Sequence, residues 1–105
     1  MPDGEPPWDA LWGSTLADVQ IDLLEGSVTL SVLVVSEDHT QHYRIEASGV
    51  TTFRYFNNIE LPWSYAELTE LHVHQSEGRV ALDAVLWSEG AGIHIEAVAA
   101  ELTGA

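Results

Sequence analysis

Apolar and polar residues alternate along most of the chain, in short runs separated by glycine-containing turns. In the first run the apolar positions are Ala17, Val19, Ile21 and Leu23. Residues two apart on a β-strand project from the same face, so this period of two predicts a strand with one side toward a core. No segment has the length and period of an amphipathic helix. The pattern therefore predicts an all-β protein.

The runs and the turns between them predict about seven strands, at 15–24, 28–36, 41–47, 50–56, 67–75, 80–88 and 93–102. Short connections favour a single antiparallel domain in mostly meander order, forming a sandwich or barrel-like sheet. One longer loop, 57–66, follows the fourth strand. The predicted inward positions are Ala17, Val19, Ile21, Leu23, Val28, Leu30, Val32, Val34, Tyr43, Ile45, Ala47, Val80, Leu82, Ala84, Leu86, Ile93, Ile95 and Ala97. Phe53 and Tyr55 share one face of the fourth strand.

The length of 105 residues fits one domain. Three prolines among the first seven residues predict a flexible arm over 1–10, with the β domain spanning 11–105. Trp8, Leu11 and Trp12 have the spacing of a short helical turn against one end of the core. The apolar fraction of 46% is that of a globular protein, so the strong charge does not indicate disorder.

The charge is strongly acidic: 17 Asp and Glu face three Arg, without any Lys, for a net charge of -14. This charge repels nucleic acids and anionic membranes, and it favours a basic protein partner or cations; the alternative is that it serves only to keep the protein soluble. Without cysteine, the chain can form neither disulfides nor thiolate metal sites. It has no signal-peptide pattern and no apolar run of membrane-spanning length, so we expect a cytoplasmic protein.

The order of several short motifs resembles a family of small uncharacterised bacterial β domains. These motifs are Leu11-Trp12-Gly13-Ser14-Thr15-Leu16, Ile21-Asp22, Gly49-Val50, Pro62-Trp63, Ser88-Glu89-Gly90 and Ile93-His94-Ile95-Glu96-Ala97. The resemblance covers residues 11–103. Family members often have His-Asp where this chain has Trp12-Gly13, so any role of that pair is absent here. Some relatives resemble immunity proteins of bacterial toxin systems, which implies a β fold and an immunity-like role as expectations.

His72-Val73-His74 has the spacing of two metal ligands on one strand face. If Ser76 faces Arg79 across the next turn, His72 lies opposite Asp83 and His74 opposite Ala81. Asp83 would then be a third ligand, in a site suited to zinc or another first-row ion. If Ser88 faces Ile93, His94 lies across from Trp87 and Glu96 from Val85. The alternative is a solvated strand face without a metal.

Two groups of apolar residues are candidate contact surfaces. In the long loop, Trp63 and Tyr65 are of the types that anchor interfaces, although Trp63 could instead fold back over an open sheet end. On the outward phase of their strands lie Leu33, Val35, Val85 and Trp87. Such residues predict a homodimer surface, or a face covered by another sheet.

No catalytic motif is present: the chain lacks a nucleophile elbow, a phosphate-binding loop, a dinucleotide-binding glycine set and a cysteine nucleophile. We therefore expect a non-enzymatic protein-interaction module without a cofactor. Its most specific form is an immunity-like protein that binds a basic partner. The alternative is a small-ligand or metal-binding β domain.

Overall fold

A computed structural model describes residues 8–35, 37–60, 62–63 and 66–104. Its strands are β1 (Ser14–Asp22), β2 (Ser27–Val35), β3 (Thr40–Ser48), β4 (Thr52–Asn57), β5 (Ala66–Ser76), β6 (Arg79–Leu86), β7 (Ala91–Ala97) and β8 (Ala99–Gly104). All strand pairs are antiparallel, which confirms the all-β prediction. The described ranges contain no helix long and apolar enough to span a bilayer.

The eight strands form one sheet in the order β4-β7-β6-β5-β1-β2-β3-β8. Two meanders, β1–β2–β3 and β5–β6–β7, make up most of it. They meet where β1 pairs with β5 over only three residue pairs, from Ser14↔Leu68 to Leu16↔Ala66. We call β1, β2, β3 and β8 the first half-sheet, and β4, β5, β6 and β7 the second half-sheet.

Two very short connections join the half-sheets at a corner. Residues 49–51 lead from β3 to β4, and Val98 alone leads from β7 to β8. These strands lie near opposite ends of the sheet order, so such short links require the sheet to fold back on itself. The amide of Val98 donates to the carbonyl of Ser48 (3.1 Å), and the amide of Thr51 donates to that of Glu96 (2.8 Å). The two connections therefore run side by side, joined by these hydrogen bonds, as they pass from one half-sheet to the other. This passage divides the strand predicted at 93–102 into β7 and β8.

A 3-10 helix, Trp8–Leu11, precedes β1 and contacts β5. Leu11 is fully buried, and its carbonyl accepts a hydrogen bond from the hydroxyl of Ser14. The amide of Gly13 donates to the carbonyl of Leu68 at 2.7 Å, which attaches this segment to the second half-sheet. The first seven residues of the predicted arm lie outside the described residues, whereas Trp8 packs against the core.

The core fills the space between the half-sheets. Its larger side chains are Leu11, Leu16, Val28, Leu30, Val32, Ile45, Leu68, Leu71, Val80, Leu82, Leu86, Ile93, Ile95 and Leu102. The predicted inward positions of β6 and β7 are all buried, as are Ile45 and Ala47 of β3. Alternation predicted these faces correctly because a second layer covers them along their whole length.

The prediction for β1 was wrong in part. Of the four residues predicted to point inward, Ala17 and Ile21 are exposed, Val19 is half-buried, and Leu23 lies in the turn after β1 and is exposed; the buried apolar residue of β1 is Leu16. A bulge between Leu16 and Asp18 shifts the register at Ala17. Beyond it, Val19 and Ile21 pair with Leu30 and Val28, and the opposite layer covers Val19 only in part and leaves Ile21 47% exposed.

The four apolar residues predicted to face outward lie on different parts of the molecule. Leu33 and Val35 lie on the first half-sheet, and Val35 is 69% exposed. Val85 lies on the outer face of the second half-sheet. Trp87 follows the end of β6 in a turn and packs against the core, so it is not on the outward phase of a strand.

Candidate functional site

An apolar groove of about 480 Å³ opens between residues of the first half-sheet and residues of the second half-sheet. Most of its wall consists of Val19 and Ile21 of β1, Phe53 and Tyr55 of β4, Trp63, Leu86 and Ile93. It lies beyond the last β1–β5 residue pair, where β1 continues without β5 beside it. We refer to this feature as the apolar groove.

Strand register explains why the groove is apolar. Phe53 pairs with Ile95 and Tyr55 with Ile93, so both aromatic side chains lie on the inner face of β4. Ile21 lies on the inner face of β1, and it is 47% exposed while Tyr55 is 50% exposed. The groove is therefore a part of the sandwich interior that the protein leaves open to solvent.

Trp63 contributes its ring to the wall of the groove. Its Nε1 donates to the carbonyl of Glu60 at 3.0 Å, which fixes the ring relative to its own loop. The ring also packs edge-to-face against Trp87, with centroids 6.0 Å apart and an interplanar angle of 72°. Trp63 thus folds back onto the sheet end and still presents surface to the groove. Tyr65, its predicted partner in the loop, lies outside the described residues.

The turn after β6 supports this loop. Trp87, Ser88 and Glu89 all have positive φ values, of 53°, 53° and 81°. The carbonyl of Gly90 accepts a hydrogen bond from the amide of Asn58 (2.8 Å), and a Cβ on Gly90 would lie 2.3 Å from Ile59 Cδ1. Three successive non-glycine residues in the left-handed region are costly, and tertiary packing must hold them.

The charge at the groove is acidic. Asp18 is the one charged residue among the described residues of its wall, and its carboxylate accepts from the side-chain amide of Gln20 at 3.1 Å. Asp22, at the end of β1, accepts from the amides of Leu24 and Glu25, both at 3.1 Å. None of the three arginines of the chain belongs to the wall.

A separate charged network lies on the outer face of the second half-sheet. His94 Nδ1 donates to Asp83 Oδ1 at 2.5 Å, and Nε2 donates to Glu96 Oε2 at 2.8 Å. Because ionised carboxylates only accept hydrogen bonds, these two contacts favour the imidazolium form, in which both ring nitrogens donate. The hydrogen bonds to Glu96 and then Asp83 raise the pKa of His94, and the bond to His94 lowers the pKa of Glu96.

The predicted metal ligands do not come together as a site. His72 is opposite Asp83 and His74 opposite Ala81, as predicted. However, the Asp83 carboxylate binds His94, and His72 Nε2 lies 2.9 Å from Glu70 Oε1. Within the described ranges, no group of three or more His, Asp or Glu side chains is arranged to hold a metal ion.

The register predicted for the β6–β7 hairpin was wrong. His94 pairs with Asp83 instead of Trp87, and Glu96 pairs with Ala81 instead of Val85. The physical reason is that the chain leaves β6 at Leu86, and the turn occupies all four residues from 87 to 90. This shift creates the network at His94.

Comparison with known proteins adds information on the fold only. No protein-family model and no curated protein matches the sequence. The chain is similar to a solved structure, the crystal structure of an uncharacterized protein from Neisseria gonorrhoeae, with a TM-score of 0.70. The two share 15% sequence identity, and the match covers 87% of this chain and 90% of that chain. At this identity the likeness shows a common fold.

Proposed function

We propose that the protein is a non-enzymatic interaction module whose apolar groove receives apolar side chains of a basic protein partner. The observation that carries this proposal is the open sandwich interior, where Ile21 and Tyr55 each keep about half of their surface in water. Exposed apolar surface of this kind is typical of binding sites, because a partner that covers it removes that surface from water.

Charge supports a basic partner. The groove wall carries Asp18 and none of the three arginines, and the net charge of the chain is -14. Such a field speeds the encounter with a positively charged protein and slows it for an anionic one. An immunity-like protein that neutralises a basic toxin is the most specific form of this proposal. The family resemblance and the acidic charge support it.

The test compares two substitutions that add the same charge at different distances from the groove. Ile21→Asp places a carboxylate in the wall, whereas Leu24→Asp changes a turn residue that is 99% exposed and outside the wall. Proteins from the native host that bind the wild type and Leu24→Asp, but not Ile21→Asp, are identified and purified. Their affinity is then measured by calorimetry at low and physiological salt.

We expect a partner with basic surface that binds the wild type and Leu24→Asp equally, and that binds more weakly as salt is added. Circular dichroism and thermal melts of both variants establish that each is folded. A purified partner that binds Ile21→Asp as tightly as the wild type would exclude the groove as the binding site.

A small apolar ligand is the second candidate, because the groove volume of about 480 Å³ lies in the range of small-molecule sites. The neutral dye N-phenyl-1-naphthylamine is a suitable probe, since the acidic surface does not repel it. Saturable binding of one dye per chain, lost in Ile21→Asp and retained in Leu24→Asp, would favour this candidate. Binding that rises linearly with dye concentration would count against it.

A further inference from the structure

We infer that the partner segment binds as an extended strand along the edge of β1 at residues 17–22, on the side where no described strand pairs with it. Its apolar side chains enter the groove, and its basic side chains lie beside Asp18 and Asp22. This inference rests on the proposed function and specifies the chemistry of the partner: a segment in which apolar and basic residues alternate.

The first argument is the unpaired edge. Pairing between β1 and β5 ends at Leu16↔Ala66, yet β1 continues to Asp22. Ala17 is the bulged residue, and from Asp18 to Asp22 β1 pairs with β2 on one side. No described strand pairs with the other side of residues 17–22. The bulge at Ala17 lies where the pairing with β5 stops, as bulges often do. An edge of this kind offers backbone donors and acceptors to an added strand.

The second argument is the alternation of side chains along this edge. Val19 and Ile21 lie on the groove side of the strand, whereas Asp18, Gln20 and Asp22 occupy the opposite phase, with Asp18 also bordering the groove. An added strand has the same period, so its alternate side chains would lie beside the groove residues and beside the carboxylates. Directly opposed side chains of opposite charge stabilise strand pairing. Six residues of edge correspond to about 20 Å of extended segment.

The third argument concerns the other unpaired edges of the described strands. β5 has one from Thr69 to Ser76, but none of those residues belongs to the groove wall. β4 is at one end of the sheet, and Arg54 on its outer face disfavours a basic strand. β8 is at the other end and carries Glu101, but none of its residues belongs to the groove wall. Among the described strands, β1 therefore combines a free edge, an adjacent apolar wall and acidic side chains.

The test uses an eight-residue peptide of alternating Val and Lys with blocked ends. A control peptide has the same composition, with the four Val preceding the four Lys. Two further peptides carry N-methyl groups on either the Val or the Lys amides. In an added strand only one of these series faces β1, so one methylation pattern should remove binding and the other should not. Fluorescence anisotropy gives the affinities, and hydrogen exchange follows the amides of residues 17–22.

We expect the alternating peptide to bind at least about tenfold tighter than the control peptide and to slow exchange at residues 17–22. One N-methyl series should lose at least about tenfold in affinity, since it removes donors of the ladder. The double variant Asp18→Asn, Asp22→Asn removes both charges, but the side-chain oxygen of residue 22 can still accept the hydrogen bonds from the turn amides. This variant should bind the alternating peptide about three- to tenfold more weakly than the wild type does. The matched variant Glu77→Gln, Glu101→Gln loses two charges elsewhere and should retain the affinity.

Three results would overturn the inference: equal binding of both N-methyl series, unchanged exchange at residues 17–22, or no preference for the alternating peptide. If the peptides still lose affinity for Ile21→Asp, the groove remains the binding site and only strand addition is wrong. If a native partner binds Ile21→Asp as tightly as it binds the wild type, the proposed function itself fails. The two failures are therefore distinguishable.

Discussion

Gly49 lies directly against the side chain of Val98, where the β3–β4 and β7–β8 connections pass between the half-sheets. A Cβ placed on Gly49 would lie 2.7 Å from Val98 Cγ2 and 2.8 Å from Val98 Cβ. Gly49 also has a φ of +64°, which side chains rarely adopt. The bend that folds the sheet onto itself thus depends on a residue without a side chain.

We predict that Gly49→Ala lowers the free energy of unfolding by about 2–5 kcal/mol, from backbone strain and steric overlap together. Gly78→Ala is the matched control, because Gly78 has a φ of +68° but no atom within 4 Å of its Cβ position. Its cost should be about 1–2 kcal/mol, from the backbone alone. Urea unfolding measures both values. Equal losses would show that Val98 moves aside without cost.

The contacts of His94 predict a pH dependence of stability. Its pKa is raised from 6.5 by Glu96 and Asp83, so this contribution is fully present below pH 6.5 and is lost as the pH rises through the folded value. The pKa of Glu96 is lowered from 4.5, so its contribution is present above pH 4.5 and is lost as the pH falls through the folded value. Arg54, paired with His94 in register on β4, opposes the imidazolium charge.

The network therefore stabilises the fold most between pH 4.5 and 6.5. We expect the melting temperature to fall between about pH 6 and pH 8, and His94→Gln to reduce this fall. His42→Gln serves as the control, because it changes an exposed histidine on the first half-sheet. Melting curves of the three proteins at constant ionic strength test this. An identical fall in wild type and His94→Gln would assign it to other groups.

The edge-to-face contact of Trp63 and Trp87 predicts an energetic coupling between the loop and the β6–β7 turn. In a double-mutant cycle with Leu at both positions, we expect an interaction energy of about 0.5–1.5 kcal/mol. Trp12 packs instead against His72, at 5.4 Å between centroids. The effects of Trp12→Leu and Trp63→Leu should therefore add within about 0.5 kcal/mol. If the coupling between Trp63 and Trp87 were as small as that between Trp12 and Trp63, the prediction would be contradicted.

The alternation of the sequence predicted the strands and most of the core. Where a second layer covers a strand face along its whole length, every position on that face is apolar, so the pattern identifies the face. Phe53 and Tyr55 were also correctly assigned to a common face of their strand. In β1 the same pattern indicates an inward face, but it contains no information on whether another layer covers that face. Ile21 therefore looks like a core residue in sequence and lines a groove in the structure.

The sites that sequence reasoning missed depend on local backbone geometry. The bulge at Ala17 has no glycine to indicate it. The turn at residues 87–90 places three non-glycine residues at positive φ, a conformation that their side chains do not favour. The length of this turn determines that His94 pairs with Asp83. Because the four-residue turn was not predicted, the register was wrong and the charged network was missed. The acidic residues that alternate with Val19 and Ile21 were the available signal for the groove edge.

Salt should affect folding and binding in opposite directions. With a net charge of -14, and with Arg44–Glu46 at 3.2 Å an exposed pair that contributes little, the folded chain repels itself. Raising NaCl from about 0.02 to 0.15 M shortens the Debye length to about 8 Å, so we expect a higher melting temperature at pH 8. The same change should weaken binding of a basic partner, because that attraction is screened as well.

The measurement is a melting temperature and a dissociation constant at each salt concentration, with sucrose as a control for general effects on protein stability. A melting temperature that does not change with salt would mean that the carboxylates are too dispersed to repel strongly. The acidic field would then be too weak to steer a partner, and recognition would depend on the apolar groove. A dissociation constant that increases while the melting temperature rises would instead show that the carboxylates destabilise the fold and strengthen binding of the partner.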